Sequence, residues 1–161
     1  MISVKIFSDC FDGGDVDVNT LEVFKELMSG IHNSFGKNFF LYGSKIHVSK
    51  WLTVGDNVTF YDNCDFESII NIGDNSIIGN SCLFHSKINI GKNCKIGDYV
   101  EIYENVNIGQ NVKIGNNVTV MPNCKIPNNI SIKDYVTVDQ GCNFTEYSVY
   151  TTEYFLNNKI N

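Results

Sequence analysis

The sequence predicts an all-β chain: a left-handed parallel β-helix of about six coils, closed at its start by a short helical cap. Three observations carry the prediction. Stepping by six from Tyr42 through Val48, Val54, Phe60, Phe66, Ile72, Ile78, Phe84, Ile90, Ile96, Ile102, Ile108, Ile114, Val120, Ile126, Ile132 and Val138 to Phe144 meets apolar residues throughout. The position four residues after each step is apolar or small, as at Val58, Ser76, Cys82, Cys94, Val100, Val106, Val112 and Val118. Asn57, Asn75, Asn93, Asn111 and Asn129 recur at a spacing of eighteen.

Together these describe a coil of three short strands. Steps 0 and 4 of each hexapeptide point inward, and successive coils stack about 4.8 Å apart as parallel strands. Glycine after many of the apolar steps, at 73, 79, 91, 97, 109 and 115, permits close backbone approach, and asparagine accepts the positive φ of a tight corner. An antiparallel sandwich would show variable strand and loop lengths instead. The frame is expected to run from Tyr42 to Ser148 without a slip or an inserted loop.

The elements follow in order. Residues 1–41 form an N-terminal cap segment with one amphipathic helix over 19–31. Asn19 caps it, Glu22 completes the capping-box spacing, and Leu21, Phe24, Leu27, Met28 and Ile31 line one apolar face before Gly30 marks its end. Such a helix covers the open end of a coil, where core and strand edges would otherwise meet water. The β-helix occupies 42–149. The tail over 150–161, YTTEYFLNNKIN, holds aromatics but no helical period.

Composition narrows the partners. The 161-residue chain is 43% hydrophobic and 19% charged, as in an ordinary soluble domain. It has no apolar run long enough for a membrane span, and its start carries acids where a signal peptide needs a basic flank, so a cytoplasmic protein is expected. A net charge of −6 argues against nucleic acid or an anionic membrane as partner. The chain lacks arginine, so phosphate binding would have to use lysine or backbone N–H groups.

Of the six cysteines, Cys64, Cys82, Cys94, Cys124 and Cys142 fall at the small inward position, where they stand in for the alanine that the chain lacks. Cys64 and Cys82 lie one coil apart, as do Cys124 and Cys142; free thiols are expected in a reducing compartment. The absence of a CxxC pair argues against structural zinc.

Histidine is more informative. His85 follows inward Phe84 and so points outward. Steps of eighteen place Glu67 below it and Tyr103 above, with Asp65 and Glu101 on the same face. Carboxylates around an imidazole fix its tautomer and favour the cation formed when it takes a proton, which suits a general base. Lys95 and Lys113 stack along another edge and are either solvated charge or phosphate contacts. Tyr61, Tyr99, Tyr103, Met121 and Tyr135 are large outward groups suited to an interface between copies. Asn71, Asn89 and Asn107 form a ladder of stacked amides.

The runs INIGDN, INIGKN, VNIGQN and VKIGNN resemble those of the hexapeptide-repeat transferase family, and the resemblance covers about two thirds of the chain. It implies an acyltransferase, with acetyl-CoA as co-substrate and a sugar or nucleotide-sugar as acceptor, working as a homotrimer with sites between neighbouring β-helices. On that resemblance His85 is the base and Glu67 and Glu101 its catalytic partners. Tyr103 and Asp65 face the acceptor, Lys95 and Lys113 the cofactor phosphates, and no metal is needed. With only His47 and His85 in the coil, the three-histidine site of γ-class carbonic anhydrases, which share this coil, is poorly supported. The Gly-Asn-Pro-Ala-type turn and helix that follow the coil in many relatives are missing here. The alternative is therefore a non-catalytic β-helical scaffold or degenerate transferase paralogue.

Overall fold

A hexapeptide with two inward side chains makes a short strand followed by a tight corner. The computed structural model builds this unit repeatedly; it describes residues 4–7, 34–42, 46–142 and 149–150. The expected helix over 19–31 and the tail beyond residue 150 lie outside the described residues. The architecture is a left-handed parallel β-helix with three faces. The first face is an eight-stranded sheet running from Val4–Phe7 and Phe39–Tyr42 through Thr59–Phe60, Ile77–Ile78, Lys95–Ile96, Lys113–Ile114 and Ser131–Ile132 to Val149–Tyr150. The other two faces share the strands Ile46–Val54, Cys64–Ile72 and Leu83–Ile90, which bend around a common corner. Beyond them the faces separate. Glu101–Ile102, Thr119–Val120 and Thr137–Val138 continue the second, and Asn107–Ile108 and Lys125–Ile126 the third. Among the described residues, no helix is long and apolar enough to cross a membrane.

The inward columns make one continuous core. Val58, Phe60, Phe66, Ile70, Ile78, Phe84, Ile88 and their successors are essentially inaccessible, and each such burial contributes about 1.5–3 kcal/mol. The lower half is filled by an aromatic spine. Phe35 meets Phe39 at 5.2 Å between ring centroids, Phe39 meets Phe60 at 5.0 Å, Phe60 meets Phe66 at 4.8 Å, and Phe66 meets Phe84 at 5.2 Å. Above Phe84 the core turns to Ile and Val, which keep the same cross-section with β-branched chains suited to strands.

Every sixth residue from Trp51 to Gly141 has a positive φ, between 54° and 71°, and these residues are the three corners. The conformation costs about 1–2 kcal/mol for most L-residues, and least for Asn and Gly. Asn57, Asn75, Asn93, Asn111 and Asn129 indeed hold the corner between the third and first faces. Hydrogen bonds of 3.0–3.1 Å run from the amide Nδ2 of Asn38 to Asn57 Oδ1, and likewise from Asn57 to Asn75, Asn93 to Asn111 and Asn111 to Asn129. On the third face Asn71 donates to Asn89 at 2.8 Å, and Asn107 follows in register.

Glycine is required just before two of the corners. A β-carbon on Gly79 would lie 2.6 Å from the Gly97 carbonyl and 2.5 Å from Asp98 Oδ1, the oxygen that accepts the Asn80 N–H at 2.8 Å. Glycines occupy the matching positions of the first face at 79, 97 and 115, and of the third at 55, 73, 91 and 109. The second face has none: the same position there carries Glu67, His85, Tyr103, Met121 and Asp139.

The cysteines do more than fill space. Cys64, Cys82, Cys94 and Cys124 are buried free thiols, and each donates to a carbonyl fifteen residues on: Gly79, Gly97, Gly109 and Asp139, at 3.0–3.2 Å. Ser76 does the same to Gly91 at 3.2 Å while accepting the Cys94 N–H at 3.1 Å. Alanine could supply neither bond. Burial pushes the thiol pKa of Cys94 and Cys124 up, so these groups stay protonated donors.

One expectation about the frame is corrected. From Ile46 upward, paired residues differ by eighteen, as in Ile46 with Cys64 and Val48 with Phe66. For the strands Ser34–Phe35 and Phe39–Tyr42 and the coil above them they differ by nineteen: Leu41 pairs with Phe60 and Phe35 with Val54. Leu41, not Tyr42, is therefore the inward residue. Tyr42 turns outward and stacks on Tyr61 at 5.2 Å with an interplanar angle of 19°. Parallel pairing also extends below residue 42, to Phe39–Tyr42 and Val4–Phe7.

Candidate functional site

The glycine-free second face is where chemistry-bearing side chains gather. Its outward residues come from three consecutive coils held in register, with Asp65 beside Leu83 and Leu83 beside Glu101. Inward Phe66, Phe84 and Ile102 anchor the backbone beneath them. His85 stands at the centre. Its Nδ1 lies 3.1 Å from Oε2 of Glu67 on the coil below, and its Nε2 lies 3.1 Å from Oε1 of Glu101 on the coil above. Tyr103 stacks on the imidazole at 4.6 Å with an interplanar angle of 23°. The His85 side chain is 23% exposed, against 50% for Glu67 and 35% for Glu101, so the ring is reached from one side and screened on the others.

The electrostatics follow from the contacts. Burial alone favours the neutral ring, but hydrogen bonds to Glu101 and Glu67, together with the charge of both carboxylates, outweigh it. The His85 pKa accordingly rises above the ordinary histidine value. The Tyr103 phenol is likewise raised, first by its hydrogen bond to Glu101 and then by the charge of that carboxylate. A raised histidine pKa means that the folded state binds the proton more tightly than the unfolded chain. The ion pairs thus stabilise fully below the unfolded pKa of about 6.5, and the benefit is lost as pH rises through the higher folded value. Urea unfolding followed from pH 5.5 to 9 is expected to show this decline, and His85→Gln is expected to abolish it. Equal pH dependence in the two proteins would refute the assignment.

The other expected site residues distribute unevenly. Glu67, Glu101 and Tyr103 all contact His85. Asp65 shares the face but bonds elsewhere: its Oδ1 lies 2.9 Å from Nδ1 of His47, an exposed pair that counting by eighteen could have found. Lys95 and Lys113 are neighbours in register on the first face. With Ser131, Lys133 and the Gly97 and Gly115 backbone they line a shallow cavity of about 330 Å³. They are not brought to His85 within one chain. Of the large outward groups, Tyr103 and Met121 lie on the His85 face, Tyr61 on the first face, and Tyr99 and Tyr135 project from the corner between them. Among the described residues, no group of three or more His, Cys, Asp or Glu is placed to hold a metal ion.

The repeat and the three-sided coil define the fold as a left-handed β-helix built from six-residue units, with a polar outward face. The family model described as bacterial transferase hexapeptide (six repeats) matches residues 87–120. No curated protein matches the sequence closely enough to count as a relative. Among solved structures, the chain resembles the UDP-N-acetylglucosamine acyltransferase of Francisella novicida with a TM-score of 0.57 and 21% identity, over 70% of this chain and 50% of that one. The UDP-N-acetylglucosamine O-acyltransferase of Moraxella catarrhalis gives a TM-score of 0.33 and 12% identity, over 84% of this chain and 66% of that one. The chain thus spans about half the length of the Francisella enzyme, and the likeness is one of fold.

Proposed function

We propose that this protein transfers an acyl group, acetyl in the simplest case, from a coenzyme A thioester to a hydroxyl or amine of a nucleotide-sugar, with His85 as general base. The observation that carries the reading is the imidazole suspended between Glu67 and Glu101 on the one face free of glycine. In the neutral ring Glu67 holds Nδ1–H, which leaves the lone pair on Nε2. Glu101 Oε1 occupies the place where an acceptor oxygen would sit, at hydrogen-bond distance from Nε2. Between two carboxylates the ring carries a proton on each nitrogen. When the acceptor displaces Glu101, which keeps its bond to Tyr103, one of the two carboxylates that raise the His85 pKa is lost. The Nε2 proton passes to solvent, and the neutral ring turns its Nε2 lone pair to the acceptor. The ring then accepts the acceptor's proton as the acceptor attacks the thioester carbonyl. Collapse of the tetrahedral adduct breaks the carbon–sulfur bond, and the departing thiolate takes the proton back.

The placement of the lysines supports a shared site. A cationic cavity on the first face and the His85 cluster on the second cannot meet in one chain. In a cytoplasmic homotrimer, the lysine face of one β-helix can meet the histidine face of the next. In that assembly Lys95 and Lys113 would meet the phosphates of coenzyme A, and Asp65 would stand at the acceptor's edge. One observation favours a second reading, a non-catalytic scaffold: both ring nitrogens of His85 are already bonded.

Ligand binding separates the two. Millimolar coenzyme A is expected to raise the Tm, since a ligand that binds the folded state alone stabilises it by mass action. Acetyl-CoA is expected to release thiol when mixed with the correct nucleotide-sugar. Neither a Tm shift nor thiol release across a panel of such acceptors would establish the scaffold.

A further inference from the structure

The second and third faces meet at a corner column made of Trp51, Ile69, Lys87, Asn105, Asn123 and Gly141, all at positive φ. Its upper half holds the residues that this conformation favours. Its lower three coils hold an aromatic, a β-branched and a long cationic side chain, at φ of 60°, 54° and 59°. Ile69 is the sharpest departure, because a β-branched residue in the left-handed region is a conformational outlier. Core packing does not explain the choice. Trp51 is 47% exposed, Lys87 is exposed and Ile69 is half-buried, so none of them fills the interior. The corner between the third and first faces keeps Asn at all five positions from 57 to 129. At the remaining corner Ser81, Tyr99 and Tyr135 alternate with Asn63 and Asn117.

Three consecutive departures therefore occur at one corner, and it is the corner beside the His85 cluster. Leu52 pairs with Ile70 and Ile70 with Ile88, so Trp51, Ile69 and Lys87 follow one another coil by coil. Ile69 and Lys87 stand two residues beyond Glu67 and His85 respectively. Backbone strain persists where the surrounding structure enforces it, and it gathers at ligand clamps and active sites.

We propose that Trp51, Ile69 and Lys87 form the acceptor-binding rim of the His85 site, shaped for a diphosphate-linked sugar. The inference deepens the acyl-transfer reading and rests on it. Glu67 and Glu101 alone would repel an anionic acceptor. Lys87, which makes no ion pair among the described residues, is the cation that offsets them. Its ammonium meets the phosphates. The exposed indole of Trp51 and the side chain of Ile69 supply apolar surface for a sugar or base ring. Trp51 and Lys87 are two coils apart, about 10 Å, a span that fits a ring at one end and a phosphate at the other.

Strain and function give readouts of opposite sign in one variant. Lys87→Asn places the favoured residue at a left-handed corner, directly below Asn105, which already donates to Asn123 at 2.7 Å. It is expected to raise the Tm by about 2–4 °C while weakening calorimetric binding of UDP-N-acetylglucosamine about tenfold or more. Ile69→Asn is expected to act in the same two directions, and Lys87→Arg to keep the affinity. If the wild type binds the nucleotide-sugar and the Asn variants bind it equally well, the rim is overturned while the acyl-transfer reading stands. If the wild type does not bind it, the nucleotide-sugar reading falls and the rim with it. A lower Tm in both Asn variants would remove the premise of strain.

Discussion

Replacing His85 with Ala is expected to leave the β-helix folded and to lower acyl-transfer turnover by about 10²–10⁴-fold, the usual contribution of one positioned acid–base group. Folding survives because the side chain projects outward from a strand whose inward neighbours, Phe84 and Ile88, are untouched and fully buried. The loss falls on turnover because the proton of the acceptor then has no local base. Glu67→Gln is expected to cost less, since an amide oxygen can still accept from Nδ1–H but no longer supports the imidazolium by charge. The pH–rate profile should lose its limb near the imidazole pKa in the Ala variant and keep a shifted limb in the Gln variant. Thiol release from acetyl-CoA with an active acceptor measures all three. Turnover at the wild-type rate in His85→Ala would move the base elsewhere.

The second large effect is on stability. Phe84→Ala is expected to cost about 3–5 kcal/mol, the range for emptying a buried aromatic site. Phe84 is inaccessible and caps the aromatic spine through its edge-on contact with Phe66 at 5.2 Å. The cavity cannot collapse easily, because the corners on either side are pinned by coil-to-coil hydrogen bonds such as Tyr99 N–H to Asn80 O and Asn105 N–H to Ser86 O. Chemical denaturation should show a lower midpoint. His85, borne on the same strand, should then be held less firmly, so coenzyme-dependent turnover should fall together with stability. A midpoint within about 1 kcal/mol of wild type would mean that the coil repacks far more freely than its geometry implies.

Much of this was legible in the sequence, for a physical reason. A coil with a fixed cross-section imposes one period on everything, so core, corners and the neighbours of His85 all follow from counting by eighteen. Glu67, Glu101 and Tyr103 follow from that count. What counting could not show was local. Leu41 and Tyr42 are both apolar and adjacent, so the pattern alone could not decide which one enters the core. Cys and Ala are alike as small inward residues, and the thiol bonds to Gly79, Gly97, Gly109 and Asp139 emerge only with the carbonyls in place. The corner at Trp51, Ile69 and Lys87 carried a readable signal, since three residues poorly suited to a left-handed turn stand where Asn would be expected.

The change from a nineteen-residue to an eighteen-residue spacing has a consequence for how such a molecule can vary. It acts like a dislocation in a crystal: one extra unit enters between Leu41 and Ile46, and the regular order resumes at Ile46 with Cys64. The misfit is confined to the outermost coils, where its visible trace is an outward tyrosine stacked on Tyr61. A one-dimensional solid tolerates such defects best near its ends, where few layers must shift. The coils carrying His85 lie well inside the ordered stack, so additions near the N-terminal edge leave their geometry unchanged.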